Sequence, residues 1–346
     1  MTQTPIRRVP TRRRRRSFTR QRVLRLSILA LLLLAVVGGI SFAALYFSSR
    51  TVRDTVSVVV AREDRPDRAF PGRDHVNILF LGRDEDRDRQ GRVLHTKGRT
   101  DAIMYAHIDF RNHAVNILSI PRDSLVRIPG YHGKRRINSA NALGGADLCK
   151  RTVENLVGVA PDYYALMDFG GFEKAIDEIG GVTVTVDKQL DYDDNWGHLH
   201  IHLKPGTQQL DGDHAIGFVR YRHSNAGGGD SDLIRIGRQQ ELISAVKSRL
   251  MQPGVIVRVP RVLDIVRDHL KTDMNPGQMV CLAKFIRSVP QKQGVKMLTM
   301  PTRPGGGNYI RPNIEETRDL GNRIFRNDSG SQAGTSVSLN TGSRRP

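Results

Sequence analysis

Residues 218–240 read FVRYRHSNAGGGDSDLIRIGRQQ, and the fold of this stretch decides where the chain gathers its positive charge. Arg220 and Arg222 stand two residues apart at the end of an apolar, aromatic run. That spacing predicts a strand with both guanidinium groups on one face. Gly227, Gly228 and Gly229 predict a loop, and Ser231 or Asp232 the cap of a following helix. On that helix Arg235, Arg238 and Gln239 fall at i, i+3 and i+4, sharing a face near its N-terminus. Arginines from both elements, free backbone N–H groups and the positive end of a helix dipole would then converge. A phosphate or diphosphate is the natural ligand of such a place. The plainer reading is a solvated basic strand and helix.

The 346-residue chain is long enough for one large or two ordinary domains, with 38% hydrophobic and 26% charged residues. Its net charge of +19 is unusual. Ten of those excess positives are arginines within the first 25 residues, which hold no acid. Residues 26–47 follow as a 22-residue run without a charged side chain. As a helix it would reach roughly 33 Å, enough for a hydrocarbon core of about 30 Å. A cleaved signal peptide has a shorter apolar region and a small-residue cleavage site. The run is therefore read as a retained signal anchor, with the arginine-rich end in the cytoplasm and the rest of the chain outside the membrane. Nucleic-acid binding by the tail competes with this reading, but the span already explains the charge.

The expected organisation is a cytoplasmic basic tail (1–25), a transmembrane anchor (26–47) and a polar juxtamembrane stalk (48–74). A folded domain (75–326) and a disordered tail (327–346) follow. Within the domain, residues 76–81 (VNILFL) predict a buried strand, and 101–109 and 114–120 a hairpin. Helices are expected at 139–157, closed by Gly158, and at 169–179, closed by Gly180 and Gly181. A strand at 182–186, a long variable-looking stretch at 187–211, the Arg220 strand and a helix from 232 to about 250 come next. Amphipathic segments at 260–271 and 276–288, a strand at 295–300 and a helix at 313–326 complete the domain. The alternation predicts an α/β fold, an α-β-α sandwich with a mixed central sheet, tethered by one N-terminal helix.

Asp84 after the first strand and Asp101 at the start of the second could meet at neighbouring strand ends. A carboxylate pair beside phosphate-binding arginines is the usual holder of Mg²⁺, with Mn²⁺ the other candidate. Arg122 and Asp123 follow the strand that stops at Pro121, which adds a guanidinium at a sheet edge. His198, His200 and His202 would line one face of a strand and could bind a transition metal, or simply form an exposed strand face. Cys149 and Cys281 form no metal motif; a disulfide and two separately buried thiols are both open.

The strings NILFLGRD, GRTDAIM, LSIPRDSLVRIPG, RRINSANALGG, TVENLVGV, DFGGFEKAIDEIGGVTV, LDGDHAIGFVRYRH and DSDLIRIGRQQ occur in order. Together they resemble the LytR-CpsA-Psr family of membrane-anchored cell-wall enzymes, across a motif core at 75–250. The resemblance implies transfer of a glycopolymer from a polyprenyl-diphosphate carrier onto peptidoglycan as a phosphodiester, with Mg²⁺ assistance. It implies metal binding by Asp84 and Asp101. It also implies diphosphate binding by Arg99, Arg122, Arg220, Arg222 and Arg235, with Gln239 as a nearby amide. Arg136 stands where the family often has lysine, and Arg238 completes the R-x-x-R-Q string that Asp232 opens. Asp84-Glu85-Asp86 precedes Arg87, so either Asp84 or Asp86 could meet the metal, and Ala102 replaces a usual hydroxyl. Asp232 and Asp123 are both open as general base. The expected partners are the lipid-linked glycopolymer, peptidoglycan and the membrane, with no nucleic acid. A diphosphate hydrolase and a non-enzymatic wall-polymer binder are the alternatives. The second would tolerate loss of Asp84 and Asp101.

Overall fold

Val76 and Ile78 of the first strand enter one apolar cluster, while Leu79 and Leu81 enter another. A strand buried on both faces is the centre of a layered fold, and this one organises the domain. The computed structural model describes residues 65–83, 98–194, 199–221, 232–290, 294–303 and 309–326. The expected tail, anchor, C-terminal tail, Asp84, Asp86 and Arg222 lie outside them. Among the described residues no helix is long and apolar enough to cross a membrane.

In chain order the elements begin with a single turn α1 (Pro66–Ala69), then β1 (His75–Arg83), β2 (Thr100–Asp109), β3 (Ala114–Ser119), β4 (Leu125–Arg127) and β5 (Lys134–Arg136). Next come α2 (Ser139–Val157), β6 (Tyr163–Asp168), α3 (Phe169–Glu178), β7 (Val182–Val186), β8 (Leu190–Asp194), β9 (Leu199–Leu203) and β10 (Gly206–Leu210). The remainder is α4 (Gly212–Arg220), α5 (Asp232–Leu250), α6 (Val259–His269), β11 (Leu270–Thr272), α7 (Pro276–Ser288), β12 (Val295–Thr299), β13 (Thr302–Arg303), β14 (Arg311–Pro312) and α8 (Ile314–Phe325).

Six strands form a mixed sheet in the order β11-β6-β1-β2-β3-β12. β1 runs antiparallel to β2 and parallel to β6, and β12 runs parallel to β3. Leu79, Leu81, Tyr105 and Leu118 pack on one face against Leu148, Val153 and Leu156 of α2 and Phe325 of α8. Val76, Ile78, Ile108 and Val115 pack on the other against Cys281, Leu282 and Phe285 of α7. The expected α/β architecture with a mixed central sheet is therefore present. A third core joins Val182, Val184 and Val186 of β7 to Leu190, Ile201 and Leu203 of the β8–β9 hairpin, and to α4 and α5.

Local chemistry accounts for the boundaries. Gly158 ends α2 at φ 86°, a left-handed position that lets its N–H reach Glu154 O. Asp168 caps α3 by accepting from Gly171 N, and Asn275 caps α7 in a capping box with Gln278.

One expectation is corrected and two open points are settled. Residues 212–220 form a helix, so Arg220 sits in its last turn rather than on a strand. Asp211 caps it through His214 N at 3.0 Å, and Ala215, Ile216 and Phe218 are buried at helical spacing. The stretch 187–211 holds the β8–β9 hairpin and β10, which pairs with β7. Cys149 and Cys281 are free buried thiols in clusters on opposite faces of the sheet, and burial alone pushes the Cys149 thiol up to about 12.

Candidate functional site

Parallel strands β1 and β6 end side by side, with Arg83 in register with Asp168. Across β1, the pairing Gly82↔Ala102 is followed by Arg83↔Thr100, so the register shifts and Asp101 is the extra residue. A bulge re-aims the side chain it displaces, and such irregularities recur beside active sites. Here it gives Asp101 to Arg122: the guanidinium Nη1 donates to Asp101 Oδ1 at 3.0 Å.

Arg122 also lies 3.6 Å from Asp123 Oδ2 through Nε, and Arg136 Nε lies 3.6 Å from Asp123 Oδ1. The result is a row in which carboxylates and guanidiniums alternate, Asp101–Arg122–Asp123–Arg136. Arg136 in turn stacks over the Tyr309 ring at 4.9 Å. Burial works to lower the Arg122 pKa, but Asp101 and Asp123 outweigh it and the net shift is upward, so the cation is held. The RRINSAN string stitches this row together. Asn138 N–H donates to Arg122 O at 3.2 Å and its carbonyl accepts from Thr100 N at 3.2 Å. Asn141 Nδ2 donates to Gly98 O at 3.0 Å, and Ser139 Oγ to Arg136 O at 2.7 Å.

A second group stands at the same sheet end. Phe169 begins α3 directly after Asp168, and its ring carries the Arg220 guanidinium 5.0 Å from its centroid. Phe169 fits closely over Gly82: a Cβ there would lie 2.9 Å from Phe169 Cε1 and 3.0 Å from Ala102 Cβ. Asp168 accepts from His269 Nδ1 at 3.0 Å and lies 3.9 Å from Arg83 Nη2. Strand ends and one ring therefore bring Arg220 to the edge that carries Asp101 and Arg122.

Other expected residues are placed differently. Arg99 is exposed immediately before β2. Arg238 does not lie on an open face; it is 4% exposed and follows the buried spacing of Leu242 and Ala245. Its Nη1 donates to Tyr221 O at 3.3 Å, its guanidinium sits 5.1 Å from the Tyr221 ring centre, and burial lowers its pKa. Gln239 is half-buried, and its Oε1 has no hydrogen-bond partner among the described residues. Asp232 and Arg235 belong to α5, but their side chains, like Asp84 and Arg222, lie outside the described residues. Sequence reading missed Arg83, Asp168, Phe169 and His269. The DFGGF string held the signal, since an aspartate followed by a helical pattern is a cap.

The donor chemistry fits a hard cation in part. Asp101 places one carboxylate oxygen on Arg122 at the bulge. The buried hydroxyl of Thr100, the preceding residue, has no hydrogen-bond partner among the described residues. Oxygen donors of this kind suit Mg²⁺.

The model of the LytR_cpsA_psr family matches residues 45–322. The chain is 34% identical over 230 residues to the regulatory protein MsrR of Staphylococcus aureus, across 66% of this chain. It thus spans 65% of the length of MsrR. It is 29% identical over 307 residues to the polyisoprenyl-teichoic acid–peptidoglycan teichoic acid transferase TagT of Bacillus subtilis, covering 88% of this chain and 92% of TagT. A solved structure of TagT with bound octaprenyl pyrophosphate lipid matches with a TM-score of 0.52 and 26% identity, over 74% of this chain and 91% of that one. The ordered strings, the mixed sheet and the family match agree: the chain belongs to the LytR-CpsA-Psr family.

Proposed function

We propose that the protein transfers a glycopolymer from a polyprenyl-diphosphate carrier onto a hydroxyl of peptidoglycan, leaving a phosphodiester. The observation that carries this reading is the row Asp101–Arg122–Asp123–Arg136, flanked by Arg220 on Phe169. The likeness to TagT supports the substrate class. A diphosphate must lose its charge to neighbours before a neutral hydroxyl can attack it. Arg122 and Arg136 are held by carboxylates on one side, so their orientation is set before substrate arrives. Arg99, Arg220, Arg222, Arg235 and Gln239 are assigned to the same diphosphate.

The acceptor oxygen bonds to the phosphorus that carries the glycan, and the bond from that phosphorus to the bridging oxygen breaks. Prenyl monophosphate leaves with the bridging oxygen and its electron pair. The hydroxyl proton passes to Asp123 or Asp232, the two carboxylates assigned as candidate bases. Arg122 and Arg235 are assigned to charge stabilisation, whereas the burial of Arg238 supports a role in holding α5 against Tyr221. Asp101 and Asp84 would hold Mg²⁺, or Mn²⁺, which supplies further charge neutralisation at the phosphates when bound. The protein is placed in the cell membrane by one N-terminal span, with this domain on the extracytoplasmic side.

The test is a transfer assay with full-length protein in detergent, a synthetic lipid-diphosphate glycan and peptidoglycan fragments, with and without Mg²⁺. Metal-dependent product that falls at least about 100-fold in Asp101→Ala and Arg122→Ala is expected. Phosphate release without transfer would replace the proposal with a hydrolase. Carrier binding that survives Asp101→Ala without turnover would replace it with a binding module.

A further inference from the structure

The β8–β9 hairpin carries a cluster that the proposed reaction does not use. Its cross-strand partners are Asp191 with His202 and Asp193 with His200. Side chains two apart on a strand share a face, so antiparallel pairing puts all four on one side of the ribbon. The opposite side is anchored: Leu190, Ile201 and Leu203 are buried in the third core, and Tyr192 packs against it. The four polar side chains are exposed, on a backbone held firmly from behind.

Their geometry is directional. His200 Nδ1 lies 2.6 Å from Asp193 Oδ1, and His202 Nε2 lies 3.3 Å from that same oxygen. Donor atoms of Asp193, His200 and His202 all lie within 4.8 Å of one another. Tetrahedral ligands at about 2.1 Å from an ion stand roughly 3.4 Å apart, within reach of small side-chain rotations. Asp191 supplies the outer support. Its Oδ1 lies 2.7 Å from His202 Nδ1, which fixes the proton on that nitrogen and leaves Nε2 as a lone-pair donor. A carboxylate behind a histidine whose other nitrogen meets further donors is the arrangement of metal-binding histidines. Two carboxylates beside two neutral imidazoles carry a net negative charge, and the mixed nitrogen and oxygen set selects a first-row transition ion over Mg²⁺.

We propose that His200, His202 and Asp193 bind a divalent transition-metal ion of the Zn²⁺ class, with Asp191 orienting His202, at a site separate from the arginine row. The ion joins β8 to β9 across the open face of the hairpin.

The experiment uses full-length protein in detergent, purified without a histidine tag and stripped with chelator. Co²⁺ is followed by visible absorption and Zn²⁺ by calorimetry. One saturable equivalent is expected, with Zn²⁺ displacing Co²⁺ and raising the melting temperature. His200→Ala and His202→Ala each weaken binding at least about tenfold, and Asp191→Asn weakens it by about 10–100-fold while keeping the ligand set. Asp101→Ala leaves the affinity unchanged. No saturable binding, or binding that persists in the folded His200→Ala/His202→Ala double variant, overturns the proposal. So does loss of binding in Asp101→Ala, which would move the ion to the arginine row.

Discussion

Arg122 and Arg238 are both arginines of the family strings, and their surroundings separate their roles. Arg122 is one-third exposed and gripped by Asp101 and Asp123, so its fork is oriented and its outer side remains reachable. Arg238 is buried on Tyr221. Lysine keeps the charge but loses the planar fork. Arg122→Lys should therefore lower turnover by about 100-fold with the melting temperature within about 2 °C of the parent. Arg238→Lys should lower the melting temperature by several degrees and change turnover per folded molecule by less than about threefold. Melting curves beside the transfer assay check both, and the reverse pattern would return Arg238 to the diphosphate. Elsewhere, His107 donates from Nδ1 to Asn77 Oδ1 at 2.8 Å, and burial, with His75 beside it, lowers its pKa from 6.5 to about 4. The unfolded chain takes up this proton first, so stability present above pH 6.5 is lost as pH falls towards 4. The loss amounts to about 3 kcal/mol at most. Denaturant melts across that window should show the decline in the parent and a flatter profile in His107→Asn. None of this was legible at the residue scale: the 3.6-residue spacing of Arg235, Arg238 and Gln239 identified a helix, but which side faced the core depended on α4. The bulge at Asp101 depended on β1.

The packing of Phe169 over Gly82 links the two halves of the site. A methyl at residue 82 would meet both the ring and Ala102 at about contact-breaking distance, so the ring must move and carry Arg220 with it. Gly82→Ala should cost about 1–3 kcal/mol and weaken carrier binding. Denaturation and lipid-diphosphate titration check this; unchanged affinity would show that Arg220 does not depend on the ring. Elements with strong periodicity or clear punctuation were legible in the sequence, among them β1, α2 with Gly158 and β7. β6 escaped because its six residues YYALMD lie between two helices and show no alternation. α4 escaped because the apolar run ending at Arg220 was read without its cap, Asp211. β9 was legible as the strand face of His200 and His202, whereas its partner β8 escaped because its acidic residues weaken the usual strand composition.

Across the whole molecule, the sheet explains why distant strings form one site. β1 and β6 end together, β2 begins opposite β1, and the chain from β3 through Asn138 is stitched to Thr100. Arg83, Asp101, Arg122, Asp123, Arg136, Asp168 and Arg220 thus come from six separate stretches of sequence. That convergence follows from the order of the strands, which local periodicity does not contain; the ordered family strings supplied it at the sequence level. The Zn²⁺-class cluster lies on a different supersecondary unit, and its loading should leave the arginine row intact. The most direct measurement of the central claim follows radiolabelled phosphorus at the glycan-side phosphate of a lipid-diphosphate substrate. Full-length protein, Mg²⁺ and peptidoglycan are present. The account predicts that the label enters peptidoglycan together with the glycan, in a phosphodiester, and that prenyl monophosphate is released unlabelled. Label recovered as soluble glycan phosphate, or left on the lipid while glycan moves, would contradict it.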